Sequence, residues 1–424
     1  MIALLICFLS LGIGEFLIRK IKFLQKYSLP SSLIMSVPFL VGFNLIKDAQ
    51  ISPLYAAWKD WPGITIALVF AALFLQKSSD EDAKTENKSE VFAQTGFVFA
   101  AVLGQMAIGV LLTLVLFGPV FSLPLAFSSV LENGFAGGHG TAVAMKQSYM
   151  DNHLPEGVEY ALFSATVGIA CGIIGGVILV GNQKKNTVQS VEPESKLVFS
   201  FNQFMVVIGL ISLAVFTGFI GKTYMEKSFQ QFPEMPLFVY SLAVSVAFKY
   251  ILSRLGLIEL LDEKQMTFFS NFFMEIMIFT AIATMNLSVI SVALTPLLIL
   301  FTAGFIWNLF CHFWLRHRML PKAFSFELSI LNFGMLNGTT AIGLMLLRMM
   351  DPELKSRGVK VYAESAPITS IFVGGGILSL SLPYLLNKNN PYLILAFLII
   401  GVLASAYAGI KFKNKAETSE RETI

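Results

Sequence analysis

The chain has 424 residues, of which 55% are hydrophobic and 13% charged, with a formal net charge of +3 and a mean hydropathy of +0.71. A soluble chain of this length carries about twice that share of charge, so a soluble globular protein is excluded. The small positive balance gives no ground for a nucleic-acid partner, and Cys7, Cys171 and Cys311 stand too far apart in apolar stretches for a disulfide framework or a metal cluster.

Apolar stretches of about 20 residues, each able to cross a hydrocarbon core of roughly 30 Å, recur along the chain and predict an all-α integral membrane protein. In chain order, spanning helices are expected near residues 1–18, 29–46, 61–76, 91–117 and 158–181, then 202–221, 236–253, 266–289, 294–314, 359–386 and 391–410. The first lacks a charged leader region and is read as retained. Segments 120–146 and 323–349 are too polar and glycine-rich for ordinary spans and are read as re-entrant hairpins. The acidic-basic loop 77–90 and the tail 411–424 are read as solvated or disordered, and 182–200 as a polar cytoplasmic linker.

Lysine and arginine set the orientation. With the N-terminus outside and both hairpins re-entrant, the basic clusters Arg19–Lys26, Lys77–Lys88, Lys184–Lys196, Arg254–Lys264, Arg316–Lys322, Lys355–Arg357 and Lys411–Arg421 all fall inside. Only Lys47, Lys59, Lys146, Lys222, Lys227 and Lys388 remain outside. The C-terminus is then cytoplasmic. Each half holds five spans with a hairpin between its fourth and fifth, and an odd number of spans makes the halves inverted. The expected plan is a first membrane repeat over 1–181, a second, inverted one over 201–387, an additional transmembrane helix over 388–410 and a cytoplasmic tail.

The hairpins share a motif. The first reads Asn133-Gly-Phe-Ala-Gly-Gly-His-Gly-Thr-Ala-Val-Ala-Met145, and the second reads Asn332-Phe-Gly-Met-Leu-Asn-Gly-Thr-Thr-Ala-Ile-Gly-Leu-Met345. At an offset of 200 positions they align without a gap, pairing Gly134 with Gly334, Gly138 with Gly338 and Met145 with Met345. The match resumes where Gly175 and Gly176 meet Gly375 and Gly376. A glycine-interrupted segment in each half of an apolar chain points to a transport site between two repeats.

Non-helical backbone cannot face lipid, so such breaks must be buried in protein or line a wet cavity. Gly137, Gly138 and Gly140 permit a sharp turn and close approach to a ligand. Half-helices that start after the breaks present N–H groups and a positive dipole end to an anion such as a carboxylate. Unwound carbonyls and the hydroxyls of Thr141, Thr339 and Thr340 are hard oxygen ligands for Na⁺, and Asn337 can donate and accept at once. The competing reading is that the glycines only let helices pack closely.

Ionisable groups inside spans are functional candidates. Glu132 and Asn133 lead into the first tip, and Glu327 and Asn332 into the second. Arg348 either pairs with a substrate carboxylate or snorkels to the surface. Glu275, with Asn271 one turn away, either serves an ion path or holds helices together. His139 either relays a proton or holds its hairpin tip as a neutral, hydrogen-bonded ring. The substrate contacts expected are Gly137, Gly138, Gly140 and Thr141 from one side, Asn337, Gly338, Thr339 and Thr340 from the other, and Arg348 at the distal carboxylate. Asn133, His139, Asn332 and Glu275 are the ion-binding candidates. No nucleophile–base pair, P-loop, dinucleotide or HExxH pattern and no zinc spacing occurs, so neither an enzyme nor a cofactor is expected beyond Na⁺ as coupling ion.

Gly137-Gly-His-Gly-Thr141, followed by Ala142, resembles the first re-entrant signature of the bacterial sodium/glutamate symporter family, the glutamate permeases of the ESS group. Phe333-Gly-Met-Leu-Asn-Gly-Thr-Thr-Ala341 resembles its second signature. The resemblance covers roughly residues 1–387 and implies Na⁺-coupled uptake of glutamate across the bacterial plasma membrane, a homodimer, and alternating access by a core that carries both hairpins. The second tip departs from the family's more glycine-rich pattern at Asn337, and the eleventh helix extends the family plan. The rival readings are another carboxylate or amino acid as solute, H⁺ coupling through His139, and a membrane sensor on a transporter scaffold.

Overall fold

The computed structural model describes residues 2–21, 24, 30–46, 52–75, 88–181, 201–228, 237–258, 261, 263–351 and 356–423. The expected linker 182–200 and residues 77–87 of the first polar loop lie outside the described residues. Every regular element among the described residues is helical, as lipid requires of a chain that must satisfy its own backbone.

The helices run in order α1 (Ile2–Lys20), α2 (Ser31–Leu45), α3 (Pro53–Leu75), α4 (Lys88–Phe121), α5 (Val130–Gly134), α6 (Gly138–Ala144), α7 (Lys146–Asp151) and α8 (Gly157–Gly181). The second half continues with α9 (Phe201–Ser228), α10 (Leu237–Arg254), α11 (Glu263–Ala283), α12 (Leu287–Val292), α13 (Leu294–Met319), α14 (Ser325–Asn337), α15 (Thr340–Arg348), α16 (Arg357–Ser370), α17 (Ile377–Lys388) and α18 (Pro391–Thr423). Among the described residues, 9 helices are long and apolar enough to cross a membrane.

Four expectations change, the first being that the eighth span, expected near 266–289, ends at Ala283 and gives way to the separate α12. The second span is a helix of only 15 residues, α2. The tenth span, expected to be continuous over 359–386, is broken between α16 and α17, where Gly374 and Gly375 take φ of +67° and +97°, a region open to glycine and rarely to other residues. The tail, read as solvated or disordered, is helical, because α18 continues through Thr423. Lys413 Nζ donates to the His317 carbonyl at 2.7 Å, Glu417 accepts from the Lys322 N–H at 3.3 Å, and Phe412 stacks on Phe92 at 5.1 Å. These contacts hold the extension against the start of α4 and the end of α13.

The chain forms two compact units, residues 1–81 with 193–288 and residues 82–192 with 289–424, so each unit takes helices from both halves of the sequence. The first is built on Trp58, fully buried, whose ring meets Phe39 and Phe279 edge-on at 5.0 Å and whose indole N–H donates to the Ala3 carbonyl at 3.1 Å. The second holds both glycine-rich segments. There α18 lies close along α4, since a Cβ on Gly96 would stand 2.9 Å from the Ser405 carbonyl oxygen. Small residues of this kind let membrane helices approach to backbone contact.

Candidate functional site

Both glycine motifs fold as two short helical limbs joined by a break, and both belong to the second unit. In the first, a turn over residues 135–137 separates α5 from α6, and the Gly137 N–H donates to the Glu132 carbonyl at 2.8 Å. Gly138 follows at φ +68°, which explains glycine at that position. Thr141 returns its hydroxyl to the Gly137 carbonyl at 2.9 Å and stiffens the turn. Tyr149 on α7 ties back to α5, its phenol accepting from Asn133 Nδ2 at 2.9 Å.

In the second motif, α14 ends at Asn337 and α15 starts at Thr340. Thr339 caps α15, its Oγ1 accepting from the Ile342 N–H at 3.4 Å and its carbonyl from the Ile342 and Gly343 N–H groups at 3.1 and 3.2 Å. The N–H groups of Thr339 and Thr340 meet no acceptor among the described residues. They stand at the positive end of a nine-residue helix.

The two breaks adjoin. A Cβ on Gly138 would lie 3.0 Å from the Gly338 carbonyl oxygen. Behind them passes α8, whose Gly168 and Gly172 leave room for the Asn337 backbone and side chain. Gly138, Thr141, Asn337 and Gly338 are buried, Gly137, Gly140 and Thr339 half-buried, and Thr340 exposed. An open surface of backbone and hydroxyl groups therefore rests on a closed polar layer.

That layer accounts for several sequence candidates. The Asn337 amide donates to the Phe333 carbonyl at 2.7 Å and accepts from Asn308 Nδ2 at 2.9 Å, so the residue that departs from the family pattern turns inward. Gln105 joins this group by donating to Asn308 Oδ1 and to the Leu336 carbonyl, each at 2.9 Å. Asn332 and Gln94 exchange two amide hydrogen bonds, of 2.9 and 3.0 Å, in full burial. His139, 2% exposed, bonds Thr166 Oγ1 through Nε2 at 3.1 Å. Because the Thr166 hydroxyl already donates to the Leu162 carbonyl at 2.9 Å, Nε2 is the protonated nitrogen and donor in this pair.

Glu275 belongs to the first unit, not to the one that holds the two glycine motifs. Its Oε2 accepts from Ser31 Oγ at 3.0 Å and the Ser32 N–H at 2.9 Å, capping the start of α2. Arg348 ends α15, and its side chain lies outside the described residues.

Tyr362 was absent from the sequence candidates, and Glu132 was a candidate with no partner or role assigned to it. Tyr362 on α16 places its hydroxyl 3.0 Å from Thr340 Oγ1. Glu132 is fully buried and holds the third break, at Gly374, through Oε1. The run Gly374-Gly-Gly376 was the available signal for that break.

No curated protein matches the chain. The family model described as sodium/glutamate symporter matches residues 1–343, a stretch that includes both adjoining tips and ends within α15. The chain therefore belongs to the sodium/glutamate symporter family, whose members are Na⁺-coupled membrane transporters.

Proposed function

We propose that this protein imports glutamate by symport with Na⁺, through alternating access, in the bacterial plasma membrane. The observation that carries the reading is the pair of adjoining breaks, with the Thr339 and Thr340 N–H groups unpaired among the described residues at the start of α15. A substrate carboxylate fits those donors and the exposed Thr340 hydroxyl, because a helix N-terminus favours an anion. Gly137, Gly138, Gly140, Thr141 and Gly338 supply the facing backbone and hydroxyl surface, with Asn337 bracing the second tip from behind. Arg348 at the distal carboxylate belongs to the same reading.

In this proposal the repeats over 1–181 and 201–387 are inverted, with the hairpins re-entrant from opposite faces, the N-terminus outside and the C-terminus cytoplasmic. The lysine and arginine distribution supports that orientation. Wide π turns at Thr113–Phe117 and Cys311–Leu315, at nearly the same offset as the glycine motifs, support internal repetition. A homodimer is part of the family-based reading.

The test is uptake of radiolabelled L-glutamate into proteoliposomes with and without an inward Na⁺ gradient, challenged by unlabelled acids. Accumulation above equilibrium only with the gradient is expected. Accumulation of another acid instead would reassign the substrate, and no movement of any solute under Na⁺ or H⁺ gradients would refute transport.

A further inference from the structure

The carboxylates of the hairpin-bearing unit are not in equivalent surroundings. Glu90 faces the guanidinium of Arg357 at 2.6 Å, an ordinary ion pair. Glu132, on α5 just before the first tip, is completely buried and has no cationic side chain beside it among the described residues. Its Oε1 accepts from the Gly374 N–H at 3.0 Å and from Ser379 Oγ at 2.7 Å, while Ser379 Oγ accepts from the Gly375 N–H at 3.1 Å. Its Oε2 is buried with no hydrogen-bond partner among the described residues.

Two neutral donors on one oxygen fix the carboxylate in place but leave its charge uncompensated. A buried carboxylate is stable when a cation or a proton balances it. The surroundings suit a hard cation. The Ala136 carbonyl oxygen would lie 3.4 Å from a Cβ on Gly374, and Thr141 Oγ1 stands against Gly375, so the first tip presents oxygen atoms to the unwound segment whose Gly374 N–H Glu132 holds. Gly374, whose N–H Glu132 accepts, is exposed, whereas Glu132 itself is fully buried. No group of three His, Cys, Asp or Glu side chains gathers among the described residues, so a cation here would be held chiefly by neutral oxygens, as Na⁺ is where transporter helices unwind.

We propose that the Glu132 carboxylate and the unwound Gly374–Gly376 segment hold a coupling Na⁺, with Oε2 as its anionic ligand. The inference rests on the Na⁺-coupled reading above and names a site for its ion.

Glu132→Gln keeps an acceptor for Gly374 and Ser379 and removes the charge. The measurement is thermal stabilisation of the purified full-length protein by Na⁺ against choline, without substrate, beside Na⁺-driven glutamate uptake in proteoliposomes. Wild type is expected to be stabilised by Na⁺, and the half-effective Na⁺ concentration is expected to rise at least tenfold in Glu132→Gln. Equal Na⁺ midpoints in the two proteins overturn the site even if glutamate uptake is Na⁺-driven. Loss of the Na⁺ effect in the variant upholds the site even if wild type moves no glutamate. Stabilisation of wild type by low pH and not by Na⁺ overturns it in favour of a proton. If Glu132→Gln does not yield folded protein, Ser379→Ala and Glu132→Asp are read in the same way. Midpoints raised threefold or more uphold the site, and unchanged midpoints overturn it.

Discussion

Replacing Gly138 with alanine tests the adjoining of the two breaks directly. Gly138 sits at φ +68°, where a side chain costs about 1–2 kcal/mol. Its new Cβ would stand 3.0 Å from the Gly338 carbonyl oxygen, closer than such atoms normally approach, and relief requires the tips to part by a few tenths of an ångström. Overpacking of this kind costs about 1–3 kcal/mol. The combined range, about 2–5 kcal/mol, corresponds to roughly one and a half to nearly four factors of ten in a rate or equilibrium. Initial rates of Na⁺-driven uptake in proteoliposomes should fall at least tenfold in Gly138→Ala, with a lower unfolding temperature in detergent. Gly209→Ala is the control, because nothing lies within 4 Å of a Cβ added there, on α9. Wild-type uptake and stability in Gly138→Ala would refute the close approach of the tips.

Three further outcomes follow from named contacts. Gln94→Leu or Asn332→Leu alone leaves a buried amide without its partner and should cost about 1–3 kcal/mol, while the double variant should recover at least about 1 kcal/mol of the summed loss. Thermal unfolding of the four proteins checks this, and strict additivity would deny the coupling. Glu275→Ala removes the cap of α2 and should lower stability by about 0.5–2 kcal/mol without moving the Na⁺ midpoint of uptake. A shifted midpoint would return Glu275 to the ion path. Tyr362→Phe releases the Thr340 hydroxyl and should raise the apparent KM for substrate severalfold with little change in unfolding temperature, and an unchanged KM would remove Tyr362 from the site.

Most of the helical architecture was legible in the amino-acid order, because a chain in lipid must satisfy its backbone locally and apolar length then marks each span. The breaks in the two glycine motifs were legible for a related reason, since glycines and hydroxyl residues recur in them at one fixed offset. Side-chain partnership was not. Asn337 reads as a ligand group until Asn308 and the Phe333 carbonyl are found to occupy its amide. Amino-acid order leaves Glu275 between an ion path and a helix-holding role, and only the folded chain puts the N-terminus of α2 against it. The tail reads as solvated until α18 is seen to carry Lys413 to the His317 carbonyl.

The clearest division lies between Gly175-Gly176 and their counterparts Gly375-Gly376. The first pair stands between Ile174 and Val177 and lies inside continuous α8, while the second stands between Gly374 and Ile377 in an unwound segment. The third glycine, Gly374, marks the second pair as the readier place to break, but glycine is compatible with either backbone and does not by itself unwind a helix. Tertiary contacts made the choice: the Leu346 side chain fills the space over Gly176, while Glu132 and Ser379 take the N–H groups of Gly374 and Gly375 that a helix would otherwise use. Amino-acid order determined where the chain could break, and the position of one buried carboxylate decided where it did.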